Sequence, residues 1–216
     1  MKHLKRQKTP KNWPIKRKGS VFIAKPNFSL NKGVSLLFFI RDMLKAVKTR
    51  KELKQAIHEK KILVNGNLAK EEKNTLMLFD KISFVPQNKN YELDLGEKGK
   101  FVQKEISEKE TKNKISKIIN KKTLNKKKTQ INLSDGRNFI SDLKCKTNDS
   151  VLINLKEKKI EKCLALKEKA KAMVFTGKHA GKRGQIEKIK PERKMVSLKT
   201  DKEKINVLIK QIMVIE

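Results

Sequence analysis

Thirty-two more basic than acidic side chains must be accommodated on the surface of whatever structure this chain adopts, because it carries 55 Lys and Arg against 23 Asp and Glu. Such an excess creates a repulsive potential that counter-ions have to balance. The counter-ions that basic proteins most often meet in cells are nucleic-acid phosphates. The charge therefore predicts a polyanionic partner and excludes most ordinary soluble enzymes, while a hydrophobic share of 37% indicates that part of the chain folds.

Apolar residues come in short runs, of which the longest extends from Leu36 to Ile40. A helix that crosses a membrane needs roughly 20 such residues. The basic N-terminus is not followed by the apolar stretch of a secretory signal. The sequence therefore predicts neither a membrane segment nor secretion.

The cysteines and histidines do not form a metal-binding pattern. Cys145 and Cys163 stand eighteen positions apart, without a Cys-x-x-Cys pair and without a histidine close by. Zinc sites need closely spaced ligands. We expect no metal, no cofactor and no disulfide framework, and a reducing cytoplasmic setting in which both thiols are small core residues.

Residues 1–33 show no sustained periodicity and are predicted to form an extended basic arm. The arm contains the only tryptophan, Trp13, which is an unusual residue to leave in water. Two interpretations stay open, a disordered tail and a strap that RNA orders.

The next segment predicts two helices. From Val34 to Val47 apolar residues recur at the spacing of one helical face, with Arg41, Lys45 and Lys48 together on the opposite side. Thr49-Arg50-Lys51-Glu52 then has the pattern of a capping box, which starts a second helix. The cationic face of the first helix is what a phosphate would meet.

Short strands are predicted after these helices. Asn65-Gly66 between two apolar runs is a strong signal for a β-hairpin with a type I′ turn. A further strand over residues 80–85 would point Ile82 inward and Lys81 outward.

The middle of the chain is harder to interpret. Residues 87–128 predict a strand near Phe101, and their lysine-dense end, residues 121–128, favours a solvated charged loop. Short alternating runs between residues 131 and 155, with a turn at 134–137, predict a small β-barrel.

A glycine-rich loop follows the strand-like run from Ala172 to Phe175. Gly177, Gly181 and Gly184 would let the backbone approach a sugar-phosphate ridge. The loop is one residue short of a Walker A motif and lacks its hydroxyl, so nucleotide hydrolysis is not supported. Further strands are predicted at residues 195–198 and 205–208.

These motifs resemble those of known RNA-binding families. Residues 35–84, with Thr49-Arg50, Val64-Asn65-Gly66 and Asp80-x-Ile82, resemble the S-four-type RNA-binding domain. Residues 172–186 are similar to a KOW motif with Gly181 at its central glycine. Their order resembles the archaeal and eukaryotic small-subunit ribosomal protein S-four-e family, whose further marks are His3-Leu4-Lys5-Arg6, Pro10-Lys11-x-Trp13 and Asp135-Gly136-Arg137-Asn138.

The resemblance implies a fold of class α+β in four parts. These are a basic arm (1–33), a small α/β S-four-type domain (34–86), a central β-barrel-like domain (87–168) and a C-terminal KOW, SH3-like β-barrel (169–216). The chain stops without the basic tail of eukaryotic members, which favours an archaeal-type protein.

The resemblance further implies a structural protein of the small ribosomal subunit, without catalytic activity or cofactor. Its partners would be small-subunit rRNA of the 16S/18S type and neighbouring ribosomal proteins, with no membrane, no small-molecule substrate and no stable homo-oligomer. Two alternatives stay open. An RNA-modifying enzyme would need a large catalytic domain, and a transcription or translation factor built on the KOW unit would more often show a balanced charge.

The candidate RNA-binding residues combine the basic positions of the arm, the helical segment, the hairpin turn and the glycine-rich loop. They are Lys5, Arg6, Lys11, Trp13, Lys16, Arg17, Arg41, Lys45, Lys48, Arg50, Lys51, Lys54, Asn65, Gly66, Arg137, Lys178, His179, Gly181, Lys182 and Arg183.

Overall fold

The computed structural model describes residues 3–124, 128–200 and 203–215. The chain divides into two compact units. Unit 1 comprises Met1–Leu95 and Lys100–Lys112, and unit 2 comprises Gly96–Gly99 and Asn113–Glu216. This division is coarser than the four domains predicted above, whose boundaries stay predictions. No helix in the described ranges is long and apolar enough to cross a membrane.

Unit 1 combines one α-helix, α1 (Arg50–His58), with short strands. The strands are β1 (Leu4–Lys5), β2 (Phe22–Ile23), β3 (Gly33–Ser35), β4 (Ile62–Val64), β5 (Asn67–Leu68), β6 (Thr75–Met77), β7 (Lys81–Phe84), β8 (Lys89–Leu95) and β9 (Phe101–Ile106). An antiparallel sheet has the order β5-β4-β7-β8-β9, and β1 pairs with β2 and β3 with β6.

Two local predictions in unit 1 are confirmed. The Thr49 hydroxyl accepts a hydrogen bond from the backbone N–H of Glu52 at 3.2 Å, and the Glu52 carboxylate accepts one from the backbone N–H of Thr49. This is the predicted capping box at the start of α1. Between β4 and β5 the chain turns at Asn65 and Gly66, whose φ angles of 52° and 76° fit a type I′ turn.

The amphipathic helix predicted over Val34–Val47 is right only in part, because residues 36–43 are helical but the helix is shorter than predicted and is not a surface helix. Val34 lies in β3, and the helix that follows is a short π-helical segment, Phe38–Met43. Lys45, with a φ of 55°, lies beyond its end in the left-handed region. The physical reason is that residues 36–40 are all buried, so this segment is a core element and not a surface helix with one apolar stripe.

The arm is also not extended. The Trp13 side chain is only 2% exposed, and its ring centroid lies 4.9 Å from that of Phe38. Leu4 of β1 and Ile23 of β2 are opposite each other and both are buried. Burial of these apolar side chains makes residues 3–33 a folded part of unit 1, which corrects both interpretations of the arm as a tail or strap.

The inward and outward alternation predicted for residues 80–85 is half right. Ile82 of β7 is buried as predicted. Lys81 is buried too, because its ammonium group forms an ion pair of 2.8 Å with Glu92, its cross-strand partner on β8. The carboxylate compensates the buried charge, which a reading of β7 alone could not reveal.

Unit 2 consists of two antiparallel sheets. Its strands are β10 (Asn113–Thr123), β11 (Thr129–Leu133), β12 (Asn138–Ile140), β13 (Ser150–Asn154), β14 (Lys159–Leu164), β15 (Lys171–Val174), β16 (Arg183–Lys190), β17 (Met195–Lys199), β18 (Lys204–Leu208) and β19 (Ile212–Val214). The sheet orders are β12-β11-β10-β13-β14 and β18-β17-β16-β15-β19. The strands predicted between residues 131 and 155 and between 172 and 208 are confirmed.

The lysine-dense stretch is in part a strand. Lys121 and Lys122 lie in β10 opposite Ile131 and Gln130, which corrects the prediction of a loop there. In this part β10 pairs with β11, whereas its pairing with β13 covers residues 113–117, and the backbone hydrogen bonds to β11 hold the chain extended despite the repelling side chains. The predicted loop at residues 126 and 127 lies outside the described residues. The described chain is thus mostly β-structure with few helices, and its helical share is smaller than the α+β prediction implied.

A buried lysine connects the two sheets of unit 2. The Lys117 ammonium group on β10 donates a hydrogen bond of 2.7 Å to the carbonyl oxygen of Ile212 and lies 5.7 Å from the ring centroid of Phe175. Burial lowers the pKa of Lys117 to about 8. The carbonyl dipole and the aromatic face partly replace the water that this cation loses.

Both cysteines are free thiols; Cys145 belongs to the core of the sheet β12-β11-β10-β13-β14, as predicted, and Cys163 is half-buried against that core. Burial, together with Cys145 and the carboxylate of Asp149, raises the pKa of the Cys163 thiol to about 12.

At pH 8 we therefore expect Cys163 to react with a maleimide roughly a thousandfold more slowly than an unfolded cysteine, because only the thiolate is nucleophilic. Mass spectrometry of the labelled protein measures this, with the urea-unfolded chain as the control. Fast native labelling would contradict the raised pKa of this half-buried thiol.

Candidate nucleic-acid interface

Exposed lysines gather around α1. Lys48 precedes the capping threonine, and Lys51 and Lys54 follow at helical spacing, all three exposed. A groove of about 410 Å³ lies beside the helix. It is lined by Lys54, Ile57, His58, Lys70, Glu71, Glu72 and Lys73.

Lys70 and Lys73 therefore extend the cationic side of the helix across the groove, and both are exposed. We name the five residues Lys48, Lys51, Lys54, Lys70 and Lys73 the α1 surface. The sequence prediction missed the last two because they follow β5, well beyond the helix. The Asn-Gly hairpin, which returns the chain toward its start, was the one signal that could have placed them there.

The two arginines of this region are held by carboxylates of the protein. Arg50 Nε donates to Glu72 Oε2 at 2.7 Å, and a second nitrogen of the same guanidinium contacts the other oxygen. This hydrogen bonding and the charge of Arg50 hold the pKa of Glu72 below its usual value. Arg41 forms an ion pair of 2.9 Å with the neighbouring Asp42. Lys45 is exposed but shares no helical face with Arg41, because the helix ends between them.

In the arm, Arg6 has a structural role. Its guanidinium donates to the carbonyl oxygens of Ser20 at 2.7 Å and Lys16 at 2.8 Å, and to the Ser20 hydroxyl at 2.8 Å. Arg6 thereby closes the loop of the arm. The side chains of Lys5, Lys11, Lys16 and Arg17 remain exposed on its surface.

Two other candidates are buried. Trp13, at 2% exposure, leaves no open ring face for a base, which corrects its prediction as an RNA contact. The Asn65 amide is used inside unit 1, since its nitrogen donates to Asp80 Oδ1 at 2.7 Å and its oxygen accepts from the backbone N–H of Lys81 at 3.0 Å. Gly66 at the tip of the turn is exposed, and no atom lies within 4 Å of the position of an added Cβ.

The glycine-rich loop joins β15 to β16. Gly181 has a φ of 89°, and its N–H donates to the carbonyl oxygen of Val174 at 2.7 Å. A Cβ at this position would lie 1.8 Å from the carbonyl oxygen of Gly96. The sequence predicts that the backbone at Gly181 lies close to a sugar-phosphate ridge. In the structure, the backbone that lies close to Gly181 is that of Gly96, another segment of unit 2.

The cations of this loop differ in their surroundings. Lys178 and Arg183 are exposed, while His179 is half-buried. Lys182 forms an ion pair with Glu203, whose pKa it holds below the usual value. The loop thus presents exposed cations beside a turn whose backbone is held by a hydrogen bond from Gly181 to Val174.

Arg137 stands at the edge of a buried ion pair. Lys114 and Asp135 form this pair at 2.9 Å, with side-chain exposures of 1% and 5%. Burial alone would raise the pKa of Asp135, but the charges of Lys114 and Arg137 and their hydrogen bonds outweigh it, and the pKa is lowered. Arg137 Nε lies 3.8 Å from the same carboxylate. Asp135-Gly136-Arg137, which carries part of the family resemblance, thus lies in the turn between β11 and β12, where Asp135 compensates the buried charge of Lys114.

Chemically, these surfaces can bind anions. The described residues contain no group of three or more His, Cys, Asp or Glu side chains that could hold a metal ion. Exposed lysines around a groove and beside a backbone loop are instead what phosphate groups bind.

Comparison with known proteins gives the family. The model of the ribosomal family S4e matches residues 87–160, and that of the RS4NT domain matches residues 1–28. Small ribosomal subunit protein eS4 of Methanocella arvoryzae is 38% identical over 194 residues, which cover 88% of this chain and 82% of that protein. The eS4 protein of Methanosphaera stadtmanae is 36% identical over 192 residues, covering 88% and 80%.

A solved structure shares the fold. The crystal structure of 30S ribosomal protein S4e from Thermoplasma acidophilum superposes with a TM-score of 0.74 at 23% identity, over 86% of this chain and 95% of that one. The relatives named here are archaeal proteins, and theirs is a family of ribosomal structural proteins and not of enzymes, so the alternative of an RNA-modifying enzyme is wrong. The chain belongs to the S4e family of small-subunit ribosomal proteins, eS4.

Proposed function

We propose that this protein is a structural component of the small subunit of cytoplasmic ribosomes, where it binds small-subunit rRNA and contacts neighbouring ribosomal proteins. It uses basic surfaces and no cofactor. The observation that carries the proposal is the α1 surface, five exposed lysines of which Lys54, Lys70 and Lys73 line one groove, in a chain with a net charge of +32. Each phosphate that binds there releases condensed counter-ions, which gives the binding free energy.

The α1 surface fits phosphates better than the other basic regions of unit 1 do. Its lysines are exposed, although Lys54 and Lys73 lie near Glu72, whereas Arg50 and Arg41 form ion pairs with carboxylates. An arginine that leaves such a pair for a phosphate exchanges one anion for another and gains less. We infer that the lysines supply most of the affinity, and that Arg50 positions the segment of Glu72 against the helix.

The glycine-rich loop is proposed as a second contact, within a KOW unit formed by the sheet β18-β17-β16-β15-β19. Lys178 and Arg183 are its exposed cations. Gly177 and Gly181 keep the loop compact through φ angles of 93° and 89°, which favour glycine. The loop therefore presents its charge from a fixed backbone, which lowers the entropy cost of binding.

The α1 surface is tested by reversing two charges. In the variant K51E/K54E we expect weaker binding to small-subunit rRNA, and a slope of log K against log salt that is smaller by about one for each lost phosphate contact. Both changes are at exposed positions, so the thermal unfolding temperature should stay the same. Filter binding across a salt series measures the affinity and the slope.

A matched control separates this surface from the net charge of the protein. Lys156 and Lys159 are exposed residues of the β13–β14 hairpin in unit 2, and K156E/K159E changes the net charge by the same amount. We expect a smaller loss for the control. Equal losses of affinity and slope in the two variants would remove the α1 surface from the binding site.

A further inference from the structure

The ribbon of β1 and β2 has two different faces. Leu4 and Ile23 are cross-strand partners with exposures of 5% and 9%, so one face lies in the core of unit 1. Lys5 and Phe22 are the next pair in the ladder and therefore belong to the opposite face. His3 is two residues before Lys5 and shares that outer face.

An aromatic pair occupies this outer face. Phe22 is 57% exposed, and its ring centroid lies 5.6 Å from that of His3, with the two planes tilted by 52°. Exposure of so much aromatic surface to water is unfavourable, and the same protein buries the larger ring of Trp13. An exposed ring with an open face beside a second ring is a feature that a binding partner explains.

The charges around the pair indicate which partner. Residues 1–33 contain ten Lys and Arg and no Asp or Glu. Lys5 stands directly opposite Phe22 in the ladder, and Lys16, Arg17 and Lys18 are exposed in the loop that joins the two strands. A protein partner would more often meet an apolar or mixed-charge rim, whereas cations beside aromatic rings fit single-stranded nucleic acid.

We propose that Phe22, supported by His3, is a stacking site for an unpaired base of the rRNA, and that Lys5 contacts the phosphate of that nucleotide. The proposal rests on the proposed function and adds a base contact to the phosphate contacts. The aromatic contact to RNA is thus assigned to Phe22 and not to Trp13, because the ring of Trp13 is packed against Phe38.

The ribbon holds the ring ready for binding. Leu4 and Ile23 anchor it from below, and the Arg6 hydrogen bonds to Ser20 fix the loop that leads into β2. The backbone N–H of Arg6 also donates to the carbonyl oxygen of Val21 at 2.9 Å. A preorganised ring loses little entropy when a base stacks on it.

The first test compares F22A, F22L and F22Y in the full chain, with naked small-subunit rRNA as the probe. We expect F22A to lower the affinity roughly 5- to 150-fold, as base–aromatic stacking contacts do when truncated. F22L should lose affinity too, because it keeps an apolar side chain without a ring, and F22Y should retain it. The salt slope should not change, because no charge is removed.

Phe28 provides the matched control. It is an exposed phenylalanine of the same segment, at 60% exposure, and F28A removes the same ring. We expect F28A to bind like the unaltered protein. Equal weakening by F28A and F22A would overturn a specific site at Phe22.

A second measurement observes the base directly. In F22W the added indole is exposed while Trp13 is buried, so the red-shifted part of the emission belongs to position 22. Stacking of a base should quench that part when rRNA is added. A photoreactive phenylalanine analogue at position 22 should also crosslink to rRNA in assembled small subunits, and a crosslink to protein alone would overturn the proposal.

The outcomes separate this inference from the proposed function. If F22A binds as tightly as the unaltered protein, and that binding is strongly salt-dependent, the stacking site is refuted and the phosphate-binding function stands. If the unaltered protein shows no salt-dependent binding to the rRNA, both are refuted.

Discussion

The variant G181V is expected to lose roughly 3–6 kcal/mol of the free energy of unfolding of unit 2. Gly181 has a φ of 89°, which a β-branched residue strongly disfavours. The added Cβ would also lie 1.8 Å from the carbonyl oxygen of Gly96 and 3.2 Å from the backbone nitrogen of Gly99. Because these are backbone atoms, relief requires the 96–99 segment or the glycine-rich loop to move.

Hydrogen exchange followed by mass spectrometry tests this prediction, because it reports on each unit separately. Peptides of unit 2 should exchange faster in G181V, while peptides around α1 and the Trp13 emission stay as in the unaltered protein. A loss of rRNA binding would then follow from the altered fold and not from a missing phosphate contact.

The variant G66V is the control for backbone strain. Gly66 also has a positive φ, 76°, but no atom lies within 4 Å of an added Cβ. Its cost is thus strain alone, about 1–3 kcal/mol. If G181V were no less stable than G66V, the contact with Gly96 would be easily relieved, and Gly181 would be only a turn residue.

Features set by neighbouring residues could be predicted from the sequence. The capping box at Thr49 and Glu52 and the type I′ turn at Asn65-Gly66 depend on residues at most three positions apart, and both are confirmed. The strands β17 and β18 of unit 2 follow from period-two alternation between polar turns, and their buried side chains alternate with half-buried or exposed ones in the structure.

The errors concern residues whose surroundings come from distant parts of the chain. Trp13 is buried against Phe38, and Lys81 is neutralised by Glu92. Neither partner is visible in a local window. For the helix predicted over Val34–Val47, the length and the surface position are wrong, because residues 36–40, which are buried on all sides, show the same apolar spacing as an amphipathic surface helix.

For the candidate RNA-binding residues, too, the sequence does not reveal contacts with distant parts of the chain. Basic composition correctly indicates that Lys51 and Lys54 are exposed. Composition cannot tell that the guanidinium of Arg6 is used by Ser20 and Lys16, or that Glu72 holds Arg50. The number of cations is thus a property of the sequence, while their availability to phosphates depends on the tertiary structure.

The second large effect is expected at the buried ion pair of unit 2, where D135N should cost roughly 3–5 kcal/mol of the free energy of unfolding at pH 7. The substitution keeps the size of the side chain but removes the negative charge that the Lys114 ammonium group faces at 2.9 Å. A buried cation without this compensation is strongly unfavourable. Urea denaturation followed by circular dichroism measures the loss.

The pH dependence distinguishes a charge effect from a packing effect. Because the pKa of Asp135 is lowered in the folded protein, the pair contributes its full stability above the unfolded value of 3.8 and loses it as the pH falls through the folded value. The difference between D135N and the unaltered protein should therefore be constant near neutral pH and shrink in acid. A difference that persists at a pH where Asp135 is protonated would mean that asparagine fails to pack there, and that the charge of Asp135 matters little.

Two further variants separate the effect of burial from that of the charge. E187Q removes a carboxylate from the exposed Lys204–Glu187 pair of the same unit, at 2.6 Å, and should change the free energy of unfolding far less, because water screens that pair. In K114M/D135N the buried cation is gone as well, so the double variant should recover much of the stability that D135N loses. Additive losses in the double variant would contradict a direct interaction between Lys114 and Asp135. Recovery would indicate that Asp135 in the Asp-Gly-Arg turn serves first to compensate the charge of Lys114 inside unit 2.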